Sequence, residues 1–172
     1  WAWSLLVLPA RRRPLAVRER GAETSAPPAG CKRGIIPRMD LYLVRHAQAV
    51  DEGPSMPDEA RYLTTKGRGR AAAVGRALAA RGVVLDALVT SPLVRAVQTA
   101  ELAAGPLAFT GEVTTLWALS PGGSVRRAAT ELGALGASVM AVGHEPGMTA
   151  LGVAMTGGPF PSFAKGQVCC VR

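Results

Sequence analysis

Leu41-Tyr42-Leu43-Val44-Arg45-His46 is four apolar residues that end in a cation and an imidazole. A short apolar run of β-prone residues reads as a strand buried on both faces, so Arg45 and His46 should emerge at its carboxyl end. The 172-residue chain has only two histidines. The second closes a run of the same kind, Ser138-Val139-Met140-Ala141-Val142-Gly143-His144. Open α/β sheets bind ligands at the carboxyl edge of their strands. Two histidines delivered there from strands far apart in sequence point to one site.

A third run, Val83 to Thr90, leads into Ser91-Pro92-Leu93-Val94-Arg95-Ala96-Val97-Gln98-Thr99-Ala100. Ser91 followed by Pro92 reads as a helix start, the hydroxyl as N-cap and the proline at the first helical position, where its missing N–H costs nothing. Arg95 then lies about one turn inside a helix over 92–104, within reach of the strand ends.

Together these segments resemble the histidine phosphatase superfamily, which shares the phosphoglycerate mutase-like fold, and within it the small SixA-type phosphohistidine phosphatases. Arg45-His46 matches the family's Arg-His signature, and Ser91 to Ala100 its Ser-Pro-x-x-Arg-Ala-x-Gln-Thr-Ala segment. Gly143-His144 matches its Gly-His, and Leu63-Thr64-Thr65-Lys66-Gly67 its Leu-Thr-x-x-Gly turn before the first helix. The likeness runs from about Met39 to the C-terminus.

The charge divides unevenly. Of a formal +8, residues 1–38 hold eight basic and two acidic side chains, leaving residues 39–172 nearly balanced at twelve against ten. The basic excess thus belongs to the first segment, which removes the main support for a nucleic-acid role; aromatic residues for stacking are also scarce. Residues 1–38 begin with Trp1, are rich in Arg, Pro, Ala and Gly, and show no periodicity. Their apolar stretch precedes the arginines, the reverse of a secretory signal. They read as a disordered leader or translated upstream sequence, with the phosphatase domain over 39–172. Family members usually carry one more extended segment after the last strand, so a C-terminus cut short is expected. No span reaches the ~18–20 apolar residues needed to cross a bilayer. Cys31 and the adjacent Cys169-Cys170 form neither a zinc spacing nor a disulfide framework, which fits a cytoplasmic protein.

The remaining elements alternate: a helix over 66–81, strand 83–89, helix 92–104, an extended stretch over 109–116, and a helix over 122–134 opened by Ser120-Pro121. Strand 138–142, a short helix over 147–156 and a strand over 167–171 follow. Strand–helix alternation predicts a three-layer α/β/α domain with a mostly parallel central sheet. Gly67, Gly69 and Gly75 are expected to weaken the first helix, each by up to ~1 kcal/mol relative to alanine.

The chemistry implied is phosphoryl transfer, in which charge spreads over three equatorial oxygens while nucleophile and leaving group lie in line. By resemblance His46 is the nucleophile, while Arg45, Arg95 and His144 bind the phosphoryl oxygens, with no metal and no cofactor. Taken singly, each has a plainer role: Arg45 a solvated charge, Arg95 a helix-face ion pair, His144 a structural turn histidine. The ordered set outweighs them. One position departs from the family. SixA-type chains often read Pro-Glu-Leu-x-Pro before the third helix, whereas this chain reads Trp117-Ala118-Leu119-Ser120-Pro121, so Ala118 stands where a carboxylic acid is expected. Glu112, Glu145, Asp51 and Glu52 are the candidate substitutes. The missing acid favours phosphohistidine-type or otherwise activated substrates, because a phosphoramidate's nitrogen can be protonated before cleavage, and with the resemblance the expected substrate is a phosphohistidine on a protein partner. A small phosphate ester or anhydride is the alternative substrate, and a non-catalytic phosphate-binding module the alternative of another class. No nucleic acid or membrane partner is expected.

Overall fold

The computed structural model describes Leu6–Val7 and residues 39–172. Among the described residues six strands form one sheet in the order β1-β6-β2-β5-β3-β4. They are β1 (Leu6–Val7), β2 (Asp40–Arg45), β3 (Ala87–Thr90), β4 (Val113–Thr115), β5 (Ser138–Gly143) and β6 (Val168–Val171). Every neighbouring pair is parallel except β2 with β6. The helices are α1 (Thr65–Ala79), α2 (Val94–Ala104), α3 (Val125–Gly133) and α4 (Gly147–Thr156). Apart from the two residues of β1, which pair with Cys169 and Cys170 of β6, the leader lies outside the described residues.

Both faces of the sheet are covered, as its apolar strands require. Leu41 and Leu43 of β2, with Val139 and Ala141 of β5, pack in one cluster with Leu132 of α3 and Met148 and Leu151 of α4. The alternate residues Tyr42, Val44, Met140 and Val142 pack in the other, against Val74 and Leu78 of α1 and Ala96, Ala100 and Ala103 of α2. The period of two thus sorts each strand between two helical layers, giving the three-layer α/β/α arrangement. Cys169 and Cys170 divide in the same way, one to each cluster, and both are free thiols.

Several boundaries differ from the sequence reading: the stretch expected over 109–116 is a strand only over Val113–Thr115, the helix expected over 66–81 spans Thr65–Ala79, and three starts shift for a visible reason. The third strand begins at Ala87, not Val83, because Asp86 ends the loop before it: its carboxylate accepts the N–H groups of Ala137 (2.7 Å) and Ser138 (2.9 Å). Val84 is consequently 81% exposed. The second helix starts at Val94, so Ser91 is not its N-cap; the capping position falls to Leu93, which makes no side-chain cap. The third helix starts at Val125 and is capped by Ser124, whose hydroxyl accepts the Arg127 N–H, rather than by Ser120-Pro121.

The glycines of α1 also need a different account. A Cβ on Gly75 would fall well inside contact with the Ala103 carbonyl oxygen of α2, and one on Gly67 would strike the Gln48 carbonyl. These two glycines permit close approach of backbones and are not mere weaknesses. Only Gly69 has open space around it.

Candidate active site

The sheet register determines where the site lies. Arg45 pairs with Gly143 across β2 and β5, and Thr90 pairs with Val142 across β3 and β5. The three parallel strands therefore end at one level. The His46 N–H donates to the Gly143 carbonyl (2.9 Å) and the Ser91 N–H to the Val142 carbonyl (2.9 Å), which continues the ladder one residue into the site. His46, His144 and Ser91 leave the sheet side by side, and the two imidazole centroids stand 4.9 Å apart with planes tilted by 51°.

His46 is buried, and its Nδ1 lies 2.7 Å from the Ala47 carbonyl. A carbonyl only accepts, so Nδ1 carries the hydrogen and the Nε2 lone pair is left open. Burial pushes the His46 pKa down to about 4; the Ala47 bond opposes the shift, and the charges of Arg95, Arg45 and Lys165 add to it. His144 is buried as well and its Nε2 lies 2.8 Å from the Ser91 hydroxyl. Burial, then the charges of His46 and Arg95, lower it to about 3. Both rings are neutral at neutral pH.

Two guanidinium groups flank them. Arg45 donates through one Nη to the Phe163 carbonyl (2.7 Å), which ties it to the segment before β6. Arg95, the second residue of α2, is only 4% exposed and bonds Asp58 twice, through the Asp58 carbonyl and through its carboxylate at 2.9 Å. In both arginines Nε is buried with no hydrogen-bond partner among the described residues. Buried donors are ordinarily satisfied, so two orphaned N–H groups beside the imidazoles mark a place for an acceptor-rich ligand. The four residues singled out from sequence, Arg45, His46, Arg95 and His144, all reach this one edge.

Three participants were not foreseen. Asp58 sits on a 3₁₀ turn, Asp58–Ala60, in the loop after β2. Burial raises its carboxyl, but its bonds to Arg95 and Arg61 prevail and hold it below the usual carboxylate range. Nothing in a polar loop signals in sequence which acid will turn inward. Ser91 was concealed by its neighbour: the Ser-Pro pair reads as a cap, while the structure puts the hydroxyl on His144. Thr99 lies one turn after Arg95 on the same helix face; its hydroxyl accepts the Ala47 N–H (3.1 Å) and donates to the Arg95 carbonyl (2.7 Å). Gln98 beside it accepts the Leu63 N–H (2.8 Å), and Thr64 caps α1 by accepting the Gly67 N–H (3.0 Å). The Gln98-Thr99 and Leu63 to Gly67 motifs therefore wire the loop after His46 to α1 and α2.

Ala118 is buried and borders, with His144, a cavity of about 20 Å³ whose other walls include Leu119, Val125, Met148 and Leu151. A carboxylate there would meet mainly apolar walls, with His144 and the buried Ser120 hydroxyl as the polar groups beside it. Among the substitutes, Glu145 is committed elsewhere: it accepts from the Thr149 hydroxyl (2.7 Å) and N–H (3.2 Å) and from the Phe163 N–H. It thus closes the first turn of α4 and holds the loop before β6 that Arg45 grips. Glu112 precedes β4 at the opposite edge of the sheet, since Val113 pairs with Leu88 rather than with the end of β3.

Comparison with known proteins agrees with this three-layer α/β domain. The profile of the histidine phosphatase superfamily (branch 1) matches residues 41–119. An uncharacterized protein from Picosynechococcus is 36% identical, over 63% of this chain and 67% of that protein. The chain belongs to the histidine phosphatase superfamily. It also resembles the mitochondrial serine/threonine-protein phosphatase Pgam5 of Drosophila yakuba, 35% identical over 42% of this chain, though it spans only 24% of that protein. Among solved structures, the protein histidine phosphatase SixA complexed with tungstate superposes with a TM-score of 0.70 at 26% identity, covering 78% of this chain and 95% of that one. A SixA homologue from Agrobacterium tumefaciens gives 0.63 at 26% identity, covering 69% and 77%. Among the described residues no helix is long and apolar enough to cross a membrane.

Proposed function

We propose that this chain is a phosphatase that works through a phosphohistidine on His46, and that its substrate is a phosphohistidine carried by a protein. The observation that supports it best is the combination of an open, unprotonated Nε2 on His46 with two buried guanidinium Nε–H groups lacking protein acceptors. In the first step Nε2 attacks phosphorus and the bond from phosphorus to the leaving nitrogen breaks; that nitrogen keeps the bonding pair, and the substrate imidazole, already protonated on its other ring nitrogen, departs neutral. Arg45 and Arg95 meet the equatorial oxygens, as arginine forks meet phosphate. His144 is neutral when the pocket is empty; an arriving dianion favours its protonated form, which then adds a donor. Water next attacks the phosphohistidine, releasing inorganic phosphate and restoring the ring. The buried Ala118 supports a leaving group that needs no strong external acid, since general acids contribute 10²–10⁴-fold where the leaving group is poor.

The test is a panel of phosphohistidine peptide, phosphoramidate, aryl phosphate, alkyl phosphate and nucleotide, each labelled on phosphorus and quenched in alkali, where phosphohistidine survives. Phosphoramidates should lead in kcat/KM and leave a labelled enzyme, with His46→Ala losing both label and turnover. Near-normal activity in a folded His46→Ala protein overturns the mechanism, and alkyl phosphate cleaved as fast as phosphoramidate overturns the substrate class. Binding of phosphate with no label and no turnover would instead make this a phosphate-binding module.

A further inference from the structure

A groove of about 500 Å³ runs along the outer face of α1. Lys66, Arg70, Arg76 and Lys165 line it, Gly69 and Ala73 lie between them, and among the described residues no carboxylate does. Residues 66, 69, 70, 73 and 76 recur at spacings of three and four, which puts them on one helix face. The small residues leave a trough between the cations, and at ~1.5 Å per residue the stripe is ~15 Å long. Residues 39–172 are nearly balanced in charge, so four cations around one groove are a local concentration.

The groove is joined to the end of β2, where Arg45 and His46 lie, through the turn at Lys165 and Gly166. The Gly166 N–H donates to the carbonyls of both Arg45 and His46 (3.1 Å each), so the turn that carries Lys165 is pinned to the end of β2. Arg70 Nε donates to the Gly166 carbonyl (3.1 Å), joining helix to turn. The Lys165 charge is felt at His46. A substrate phosphoryl group on His46 would therefore have its neighbouring residues at the head of the basic trough.

We propose that this groove docks the acidic polypeptide segment flanking the phosphorylated residue of a protein substrate; this rests on the reading of the site as a phosphatase for protein-borne phosphate. Extended chain advances ~3.3 Å per residue, so four or five residues match the stripe. A small phosphate ester would meet only the cations nearest the pocket. Nucleic acid is the other polyanion, but the lining offers no aromatic platform for bases.

The experiment uses the full chain and two phosphohistidine peptides that differ only in their flanks, one Glu-rich and one Ser-rich, with aryl phosphate as the flankless reference. The unmodified protein should favour the Glu-rich peptide by about tenfold in kcat/KM, mainly through KM, and lose the preference at high salt. Lys66→Glu with Arg76→Glu should abolish it, while the peptide-to-aryl ratio for the Ser-rich flank stays put. Lys66→Gln with Arg76→Gln, a milder pair at the same exposed positions, should reduce it by several fold. No acidic preference, or a preference that survives both double variants, overturns the proposal, as does an oligonucleotide that inhibits better than an unphosphorylated Glu-rich peptide. If no phosphorylated compound is turned over, the phosphatase reading fails by itself. Anisotropy of a labelled Glu-rich peptide then decides the groove: binding abolished by the Glu pair upholds it, and absence of binding overturns it.

Discussion

Acid should destabilise this protein through its two site histidines, well before its carboxylates titrate. Both imidazoles are buried and neutral, with pKa values of about 4 for His46 and about 3 for His144. In the unfolded chain each returns to ~6.5. As pH falls below 6.5 the unfolded state takes up protons that the folded state refuses, so folding stability drops until the folded rings themselves protonate. Between pH 7 and 5.5 the linkage relation gives a loss of ~1.2 kcal/mol per histidine, or ~2.5 kcal/mol for the pair. Asp58 does not enter this window: its lowered carboxyl contributes stability above the ordinary carboxylate value and loses it only at more acid pH. The measurement is urea unfolding at pH 7.0 and 5.5 for the unmodified protein and for His144→Asn, whose amide can still bond Ser91 without titrating. Groups common to both proteins cancel in the difference. The unmodified protein should lose ~1.2 kcal/mol more stability across the interval than the variant. An equal loss would mean that His144 is not held neutral by burial, and the account of the pocket's electrostatics would fail with it.

Gly75→Ala should lower stability by ~1–3 kcal/mol, because the new methyl must push α1 from the Ala103 carbonyl, whereas Gly69→Ala should raise it by up to ~1 kcal/mol; thermal unfolding reads both. Arg95→Lys keeps a charge but cannot hold the Asp58 carbonyl and carboxylate while presenting Nε–H to the pocket, so kcat/KM should fall at least ~100-fold despite the conservative change. Asp58→Asn removes the anion 2.9 Å from Arg95 and should tighten competitive inhibition by inorganic phosphate several-fold; weaker inhibition would show that Asp58 serves only to aim the guanidinium. Deleting residues 1–38 removes just two described strand pairs, Leu6 with Cys169 and Val7 with Cys170, and should shift the melting temperature by no more than a few degrees.

The elements that read clearly from sequence are those whose local pattern and tertiary role agree. In β2 and β5 the apolar run is the buried strand, so Leu41 to Val44 and Val139 to Val142 could be placed, and the histidines after them followed. Helix starts fared worse where a local cap signal competed with a distant partner. Ser91 looks like a cap to its neighbours, but β3 ends beside β5, and His144 claims its hydroxyl. Ser120-Pro121 misled in the same way, with Ser124 taking the capping role.

The amino-acid sequence by itself determined the layer architecture, the placing of Arg45, His46 and His144 at strand ends and of Arg95 in the first turn of the helix after β3, since periodicity of burial and element termini are properties of short segments. Only the tertiary structure decided which acid faces Arg95, that the two imidazoles are neutral, that Gly67 and Gly75 are spaces for carbonyl oxygens, and that cations from α1 and from the turn at Lys165 share one groove. Each of these depends on groups that are distant along the chain and meet only when the sheet closes its register, and desolvation exists only once they have met.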